Sequence, residues 1–242
     1  MLKQKIITII LARGGSKGLY KKNICLLDGE PLISRAIRHV KESKIGGPII
    51  VSTDDEEIAE TARKAGAETP FLRPKELAQD LTTTEESLKH ALLTYEKVAN
   101  QKFDIGVFVT VTDVFREASW IKEALNILKA KPEIESVFSG HKTHKNFWEQ
   151  NEKGEWVRVK EWMKNYSSRQ IRRPIVREDT GLACASRASL WRSGRRIGDL
   201  VEILTNDDDF TGIDIHTEED LLLAECAIKI RQREIIKDSF LR

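Results

Sequence analysis

The sequence has little cysteine and no long hydrophobic run. Its three cysteines, Cys25, Cys184 and Cys226, are scattered and form no CxxC pair. This pattern excludes a disulfide or zinc framework and predicts reduced, mostly buried thiols of a cytosolic protein. No apolar run approaches the roughly 20 residues that a membrane-spanning helix requires. The first apolar run is short and leads into a polar loop, unlike a signal peptide, so we expect a cytoplasmic protein with no membrane partner.

The chain also has no excess of either charge. Its 40 Lys and Arg residues are balanced by 38 Asp and Glu residues, for a net charge of +2. This balance gives no reason to expect a nucleic-acid partner, because proteins that bind nucleic acid usually carry a basic surface. At 242 residues, of which 40% are hydrophobic, the chain is long enough to bury one sizeable core.

Apolar, β-branched runs alternate with amphipathic segments in the first part of the chain. The apolar runs predict buried strands at 6–11, 48–53, 104–110 and 135–139. The amphipathic segments predict helices at 31–40, 55–65, 84–98 and 118–130. Asp54 is the expected cap of the second helix, which should stop at Gly66. This βαβ rhythm predicts an α/β fold with a mostly parallel sheet covered by helices on both faces.

The rhythm breaks at residues 141–166, which are polar, aromatic and irregular. The run 151–155 predicts a hairpin turn between Phe147-Trp148 and residues 156–159. We treat residues 1–242 as a single domain with 141–166 as an inserted arm, which we expect to pack against a second subunit. The remaining elements predicted are strands at 181–185, 201–204 and 212–215, and a helix from a Thr217 cap through about residue 235.

The first strand leads into the stretch LARGGSKGLYKKN, residues 11–23. It contains three glycines, one serine and four cations: Gly14, Gly15, Gly18, Ser16, Arg13, Lys17, Lys21 and Lys22. Ligands of parallel α/β sheets bind beyond the carboxyl ends of the strands, and glycine lets backbone amides approach an anion. The stretch is neither a P-loop nor the GxGxxG fingerprint. The residues themselves leave two interpretations open, a cradle for a polyphosphate and a solvated surface turn.

The stretch resembles the signature of the acylneuraminate cytidylyltransferases, which activate sialic-acid-type sugars as CMP esters. The resemblance extends from Lys5 to about Ile228, nearly the whole chain. Four further segments match that family in the expected order: IIVSTD at 49–54 (its second strand), FLRPKELAQD at 71–80 (its LRPxELAxD segment), SRQ at 168–170 (its RRQ segment beside the sugar site) and GIDIHTEEDL at 212–221 (its IDIDTxEDL element).

The resemblance implies a three-layer, twisted, mostly parallel α/β sheet of the nucleotide-diphospho-sugar transferase type, with a small inserted dimerisation arm and hence a homodimer. It also implies a reaction between CTP and a 2-keto-3-deoxy sugar acid of the nonulosonate, sialic-acid-like class. The products would be the CMP-sugar and pyrophosphate, with help from Mg²⁺ (or Mn²⁺). Such chemistry depends on positioning and charge neutralisation, because the anomeric hydroxyl attacks an α-phosphorus crowded by anionic oxygens.

The resemblance also implies a nucleotide site. Arg13 and Lys17 would be catalytic, because they would stabilise charge on the departing pyrophosphate. Arg73 would read the cytosine edge, and the hydroxyls of residues 82–84, Thr84 among them, lie where the family contacts the base and ribose. By themselves these residues equally fit a surface cation and the start of a helix. The loop residues expected to bind the nucleotide are Arg13, Gly14, Gly15, Ser16, Lys17, Lys22 and Asn23.

Two departures from the family pattern affect the expected sugar and metal sites. The family's LLQPTSPLR is FVTVTDVFR here, so Thr110 replaces the glutamine that contacts the sugar, and sialic acid itself is not assumed. His216 replaces the second aspartate of IDID and leaves Asp214, an expected catalytic and metal-binding residue. We expect Asp113 to share the metal, with His216 touching the sugar carboxylate or a metal-bound water. The alternative is that Asp113 caps the following helix.

Other sugar contacts are expected at the start of the arm and just after its end. Arg169 and Gln170 would bind the sugar by analogy with the family. Lys142 or Lys145, from a basic cluster at 141–145, would grip its carboxylate, and the alternative is a solvated loop. Among the remaining residues, Cys184 is predicted to be a small buried residue and not a nucleophile.

The leading functional prediction is therefore a Mg²⁺-dependent cytidylyltransferase for a nonulosonate. Two alternatives remain at this point. One is the same reaction on an eight-carbon 2-keto-3-deoxy sugar or a phosphonate. The other is a degenerate nucleotide-binding protein, suggested by the change at His216 and the altered LLQPTSPLR stretch. Residues 207–209, three consecutive aspartates, are predicted to form a solvated turn and not a metal site.

Overall fold

A computed structural model describes residues 4–168 and 170–240, with side chains through residue 233. None of the helices in these residues combines the length and apolar character of a membrane span. The strands are β1 (Ile6–Leu11), β2 (Leu26–Leu27), β3 (Glu30–Pro31), β4 (Ile49–Ser52), β5 (Ile105–Val109), β6 (Ser136–Thr143), β7 (Trp148–Gln150), β8 (Trp156–Arg158), β9 (Ile175–Glu178), β10 (Cys184–Arg187) and β11 (Val201–Asn206). The helices are α1 (Leu32–Ser43), α2 (Glu56–Lys64), α3 (Thr84–Val98), α4 (Ala118–Ala130), α5 (Ala188–Ser193) and α6 (Glu218–Phe240).

The central sheet has the strand order β11-β6-β10-β5-β1-β4. β1 pairs in parallel with β4 and β5, and β11 pairs in parallel with β6. β10 runs antiparallel between β5 and β6, and β9 runs antiparallel along the second half of β6. β1, β4, β5, β6 and β11 therefore point the same way, and their carboxyl ends lie along one edge of the sheet.

Helices cover both faces of the sheet, and the side chains of β1 alternate between two cores. Ile6 and Ile10 pack with side chains of α1, α2, α4 and α6, whereas Ile7 and Ile9 pack with those of α3 and α5. All four are buried. Because successive side chains of a strand face opposite ways, a run that is apolar throughout needs a helical layer on each side. The predicted three-layer, mostly parallel α/β fold is confirmed.

The predicted helices in the first half of the chain are present, with one error in capping. α3 and α4 have the predicted bounds. Asp55, not Asp54, caps α2: its Oδ1 accepts hydrogen bonds from two first-turn amides at 2.8 and 3.1 Å. Asp54 instead accepts from the Gly14 amide at 2.9 Å. The prediction failed because either aspartate can cap a helix, and only the tertiary contact with Gly14 separates them.

The second half departs more from the sequence prediction. The expected strand at 212–215 is absent; a 3₁₀ turn, Asp209–Gly212, is followed by a single antiparallel bridge between Asp113 and Asp214. β9 was not predicted, since its mostly exposed residues show no apolar pattern. β6 continues to Thr143, so residues 141–143 of the predicted arm belong to the central sheet. The final helix does begin after Thr217, whose Oγ1 accepts from the Asp220 amide at 3.3 Å.

The predicted hairpin of the arm is present as the pair β7 and β8. Its turn contains Gly154, whose φ of 78° favours glycine. The Arg158 guanidinium lies 4.2 Å from the centre of the Trp148 ring, a cation–π contact. Trp148 and Trp156 remain 45% and 66% exposed, which is unusual for so large an apolar side chain.

Candidate functional site

A cavity of about 370 Å³ opens where β1 and β5 end. It lies at the sheet edge where the parallel strands terminate, the usual ligand position in such sheets. The structure brings together eight residues predicted for the site on its lining: Arg13, Ser16, Lys17, Lys22, Asn23, Thr84, Thr110 and His216. Gly14, Gly15, Arg73, Asp113 and Asp214 do not line it, and Arg169 lies outside the described residues.

The glycines shape the loop through close contacts. A Cβ added at Gly14 would lie 2.9 Å from the Asp55 side chain, and one at Gly18 would lie 2.5 Å from the His216 carbonyl oxygen. Gly15 has open space around it. The Gly14 amide donates to Asp54 and is therefore already used inside the protein. Glycine at 14 and 18 lets the loop pack closely on its neighbours, a role that the sequence did not predict.

Asn23 and Lys22 hold the other end of the loop. Asn23 is buried, and its Nδ2 donates to the Arg13 carbonyl oxygen at 2.8 Å. Lys22 Nζ lies 3.5 Å from His216 Nδ1. Burial lowers the pKa of Lys22, while nearby Asp214 opposes that shift. A partly desolvated ammonium interacts more strongly with an anion than one in bulk water does.

Arg13 and Lys17 both pair with Asp80. Arg13 Nη1 lies 2.9 Å from Asp80 Oδ1, and the Lys17 ammonium contacts Oδ2. The Lys17 hydrogen bond, together with that of Arg13, lowers the pKa of Asp80. Sequence reasoning missed this contact. The one feature of the sequence that pointed to Asp80 is its position at the end of the family-like segment at 71–80.

Arg73 is buried beside the end of β4, away from the cavity lining. Its Nε donates to Ser52 Oγ at 3.1 Å, Nη2 donates to the Ser52 carbonyl oxygen, and its amide donates to the Thr53 carbonyl oxygen at 2.7 Å. Burial lowers its pKa to about 10. The alternative of a surface cation is therefore wrong.

The hydroxyls at 82–84 have different partners. Thr83 caps α3 in a capping box with Glu86, accepting from the Glu86 amide at 3.1 Å. Thr82 Oγ1 donates to the Glu76 carbonyl oxygen at 3.3 Å. Only Thr84 of the three lines the cavity. The interpretation as a helix start is thus correct for Thr83.

Asp113 and Asp214 pair with each other in an isolated antiparallel bridge. Asp113 Oδ2 accepts from Thr110 Oγ1 at 2.6 Å. Burial, followed by the charge of Asp214, raises the pKa of Asp113. The alternative that Asp113 caps the following helix is wrong, because Glu117 occupies the N-cap position of α4.

The pair has one feature that fits a cation. Asp214 Oδ1 is buried and has no hydrogen-bond partner, while Oδ2 lies 2.8 Å from His216 Nε2. The described residues contain no group of three or more His, Cys, Asp or Glu side chains suited to a metal. Mg²⁺ typically needs only one or two carboxylates when substrate phosphates and water complete its shell. Asp113 and Asp214 fit that arrangement.

A second pocket of about 540 Å³ lies at the ends of β6 and β11, farther along the same sheet edge. It is lined by the basic cluster predicted at 141–145, together with Asn146, Ser167, Arg172 and Asp209. Lys142 Nζ lies 3.9 Å from Asp207, and Gln170 is exposed nearby in sequence. The pocket can therefore accept an anionic group.

Two further predictions have mixed outcomes. Cys184 is buried, and burial raises its pKa to about 11, which confirms an inert residue. The expectation of mostly buried cysteines is wrong, because Cys25 is half-buried and Cys226 exposed. Among the three aspartates, Asp209 is solvated, but Asp208 pairs with Arg231 and caps the 3₁₀ turn.

Comparisons with known proteins agree with this geometry. A family model described as Cytidylyltransferase matches residues 7–224. Over 144 residues the chain is 34% identical to the N-acylneuraminate cytidylyltransferase of Escherichia coli O18:K1:H7, covering 60% of this chain and 33% of that protein. It is 41% identical over 100 residues to the pseudaminic acid cytidylyltransferase of Campylobacter jejuni strain 81-176, covering 41% and 43%. The chain thus spans well under two thirds of the length of these curated relatives.

Solved structures share the fold. A CMP:2-keto-3-deoxy-manno-octonic acid synthetase complexed with CTP superposes with a TM-score of 0.69 at 13% identity, covering 94% of this chain and 100% of that one. The 4-diphosphocytidyl-2C-methyl-D-erythritol synthase of Anaerococcus prevotii superposes with a TM-score of 0.62 at 14% identity, covering 93% and 99%. At these identities the likeness concerns the fold alone.

Proposed function

The chain belongs to the cytidylyltransferase family, and we propose that it transfers CMP from CTP to the anomeric hydroxyl of a nonulosonate, a nine-carbon 2-keto-3-deoxy sugar acid. Pyrophosphate is the second product. One observation carries the proposal: the cations Arg13, Lys17 and Lys22 line a single cavity together with Thr110 and His216, and His216 bonds Asp214. Cations for a triphosphate thus lie on the same cavity as a histidine that contacts a proposed metal ligand.

The cationic loop binds the triphosphate in this proposal. Arg13 and Lys17 would release Asp80 and bind the β- and γ-phosphates instead. Lys22, together with Ser16 and Asn23, would lie nearer the α-phosphate. As the bond between the α-phosphorus and the bridging oxygen breaks, negative charge grows on the departing pyrophosphate. Cations already held in place stabilise that charge without reorganisation. Thr84 lies where the ribose or base would enter.

Asp113 and Asp214 would hold Mg²⁺ or Mn²⁺ together with phosphate oxygens. The bound ion would supply charge neutralisation at the α-phosphate and at the attacking oxygen. The His216 contact with Asp214 orients that carboxylate. The buried, unpaired Oδ1 of Asp214 is the atom that a cation would satisfy.

The acceptor would occupy the space between the cavity and the basic pocket at 141–145. Thr110 and His216 would contact the sugar near the reacting carbon. Lys142, Lys145 and Arg172 provide positive charge for its carboxylate, and we retain Gln170 and Arg169 as contacts. The nonulosonate class is favoured over an eight-carbon sugar because relatives at 34% identity or more are named for nonulosonates, whereas the eight-carbon synthetase shares only the fold.

We further propose that two copies associate through the hairpin of the arm, where Trp148 and Trp156 are exposed. Such a dimer would cover apolar surface that a monomer leaves in water. The basic pocket adjoins the arm, so a second copy would also help enclose the acceptor.

Pyrophosphate release from CTP tests the proposed function. Purified protein is mixed with CTP, Mg²⁺ and a panel of nine- and eight-carbon 2-keto-3-deoxy acids and a phosphonate. We expect release with a nine-carbon acid only. The Lys17→Ala variant should lose at least about 100-fold in kcat/KM, a typical cost of removing one transition-state charge contact. The Lys129→Ala variant, at an exposed position on α4, is the control. CTP binding without release, for any acid or divalent metal, would instead indicate a degenerate nucleotide-binding protein.

A further inference from the structure

Arg116 is a buried arginine behind the candidate site and is 3% exposed. Its guanidinium makes three hydrogen bonds to backbone carbonyl oxygens: Nε to Leu182 at 3.1 Å, and Nη2 to Thr110 and Gly181 at 2.5 and 2.9 Å. Burial lowers its pKa to about 10, and the charges of Asp113 and Asp214 oppose that shift. A buried charge is costly unless it is paired or hydrogen-bonded. The three carbonyl groups offset that cost at Nε and Nη2, whereas the buried Nη1 has no partner.

The three carbonyl groups belong to two chain segments, one at Thr110 and one at residues 181–182. Both segments belong to the proposed acceptor side of the site. Thr110 follows β5, and its Oγ1 both donates to Asp113 Oδ2 at 2.6 Å and accepts from the Asp113 amide at 3.3 Å. The Gly181 carbonyl oxygen also accepts from the Thr110 amide at 2.9 Å. The Arg116 guanidinium therefore links the end of β5 to the turn before β10. Asp113 is attached to this junction through its hydrogen bonds with Thr110.

The Asp113 carboxylate packs closely against Gly181. A Cβ added at Gly181 would be 1.8 Å from Asp113 Oδ2 and 2.8 Å from Thr110 Oγ1. The carboxylate thus packs directly on the backbone that Arg116 holds. Any shift of residues 181–182 would move the carboxylate that faces Asp214 across the bridge.

We propose that Arg116 is a positioning residue, which fixes Thr110 and Asp113 for the acceptor and cation half of the reaction without touching either substrate. This inference rests on the proposed function. Other contacts hold the cationic loop that would bind the nucleotide, because Asn23 and Asp54 form hydrogen bonds with its backbone. Loss of the Arg116 contacts therefore affects the acceptor and the cation, and leaves the binding of metal-free CTP intact.

The chain contains a matched control in Arg187. Its guanidinium also bonds three carbonyl oxygens, those of Ile134, Leu128 and Lys131, at 3.1, 2.7 and 2.9 Å. Arg187 pairs with Ile105 at the start of β5, at the opposite end of the strand from Thr110. The two clamps share their carbonyl contacts, but Arg187 is half-buried whereas Arg116 is buried. The comparison therefore rests on kinetics and Mn²⁺ binding and not on the loss of stability.

The experiment compares Arg116→Lys with Arg187→Lys in the full chain. Lysine keeps the charge and loses the three-carbonyl geometry. The measurements are kcat, KM for the acid that wild type uses, the Kd of CTP in EDTA, and the Kd of Mn²⁺ in the CTP complex by electron paramagnetic resonance. For Arg116→Lys we expect an acceptor KM or Mn²⁺ Kd raised about 10- to 100-fold, as for residues that orient metal ligands, with the metal-free Kd of CTP within about twofold of wild type. Arg187→Lys should leave the kinetics and the Mn²⁺ Kd unchanged. Parallel behaviour of the two variants would overturn the proposal.

A second variant covers the case in which Arg116→Lys does not fold. Gly181→Ala leaves Arg116 intact and displaces Asp113 sterically, so the same rise in Mn²⁺ Kd at constant CTP affinity is expected. Wild-type Mn²⁺ binding in Gly181→Ala would contradict the positioning role. If wild type releases no pyrophosphate with any acid, the proposed function fails by itself. The Mn²⁺ measurement, with CTP as the only nucleotide, still decides the role of Arg116.

Discussion

Arg13 Nη1 lies 2.9 Å from Asp80 Oδ1, and Lys17 pairs with the second oxygen of the same carboxylate. Two cations on the cavity lining thus share one exposed carboxylate. The contact keeps both side chains near each other in the free protein. A triphosphate must displace Asp80 to reach them, so this ion pair opposes binding of the nucleotide.

Replacing Asp80 should therefore tighten CTP binding. Exposed ion pairs are weak, so Asp80→Asn is expected to lower the Kd for CTP only about 2- to 10-fold in isothermal titration at low ionic strength. The gain should shrink as salt screens the charges. Glu57→Gln is the matched control, because it removes the partner of Lys21 in the same loop. An unchanged or weaker affinity in Asp80→Asn would show that Asp80 does not compete with the nucleotide.

Asp113→Asn should abolish turnover while stabilising the metal-free fold. The variant removes a proposed cation ligand and also removes a buried charge that faces Asp214. Activity is expected to fall at least about 100-fold, with loss of the Mg²⁺ dependence. Unaltered turnover and Mg²⁺ dependence would exclude Asp113 from the cation site.

The stability gain in Asp113→Asn should depend on pH. The pKa of Asp113 is raised in the fold, so ionised Asp113 destabilises wild type above that pKa. Below the unfolded value of about 4 the group is protonated in both states and the difference vanishes. Thermal unfolding in EDTA should show a higher melting temperature for the variant at pH 7 and equal values near pH 3. Equal melting temperatures at pH 7 would contradict the predicted repulsion.

Much of the fold followed from the sequence because β1 and β5 are mostly apolar and the helices between the strands are amphipathic. Periodicity does not identify β9, which is mostly exposed and pairs only with the end of β6. Within the site, the residues of the cationic loop were predictable from glycine, charge and motif order. The clamp of Arg116 and the packing of Gly181 on Asp113 were not, since both depend on contacts between segments about 65 residues apart.

His216→Asp should change the metal preference of the proposed site. The substitution replaces an imidazole at the second position of IDIH with a hard oxygen ligand, which suits Mg²⁺ better. The half-activating Mg²⁺ concentration is expected to fall relative to that of Mn²⁺, as measured by pyrophosphate release across metal titrations. His144→Asp, in the second pocket, provides the control. If the ratio of the two metals stays constant, His216 has no influence on the cation.

Charge placed on the hairpin should dissociate the proposed dimer. Trp156 is 66% exposed on the arm, and Trp156→Glu would bury a carboxylate in an apolar contact. Light scattering after size-exclusion chromatography should report a dimer for wild type and a monomer for Trp156→Glu. Leu222→Glu, at a similarly exposed position on α6, should remain dimeric. A monomeric wild-type protein would contradict the proposal that the arm is a dimer interface.

Calorimetric titration with cytidine, CMP, CDP and CTP tests the central claim most directly, because these ligands differ only in their phosphates. If the loop from Arg13 to Asn23 holds the triphosphate, affinity should rise with each added phosphate, and the rise from CMP to CTP should largely disappear in Lys17→Ala. Cytidine binding as tightly as CTP, or a Lys17→Ala series that matches wild type, would contradict it.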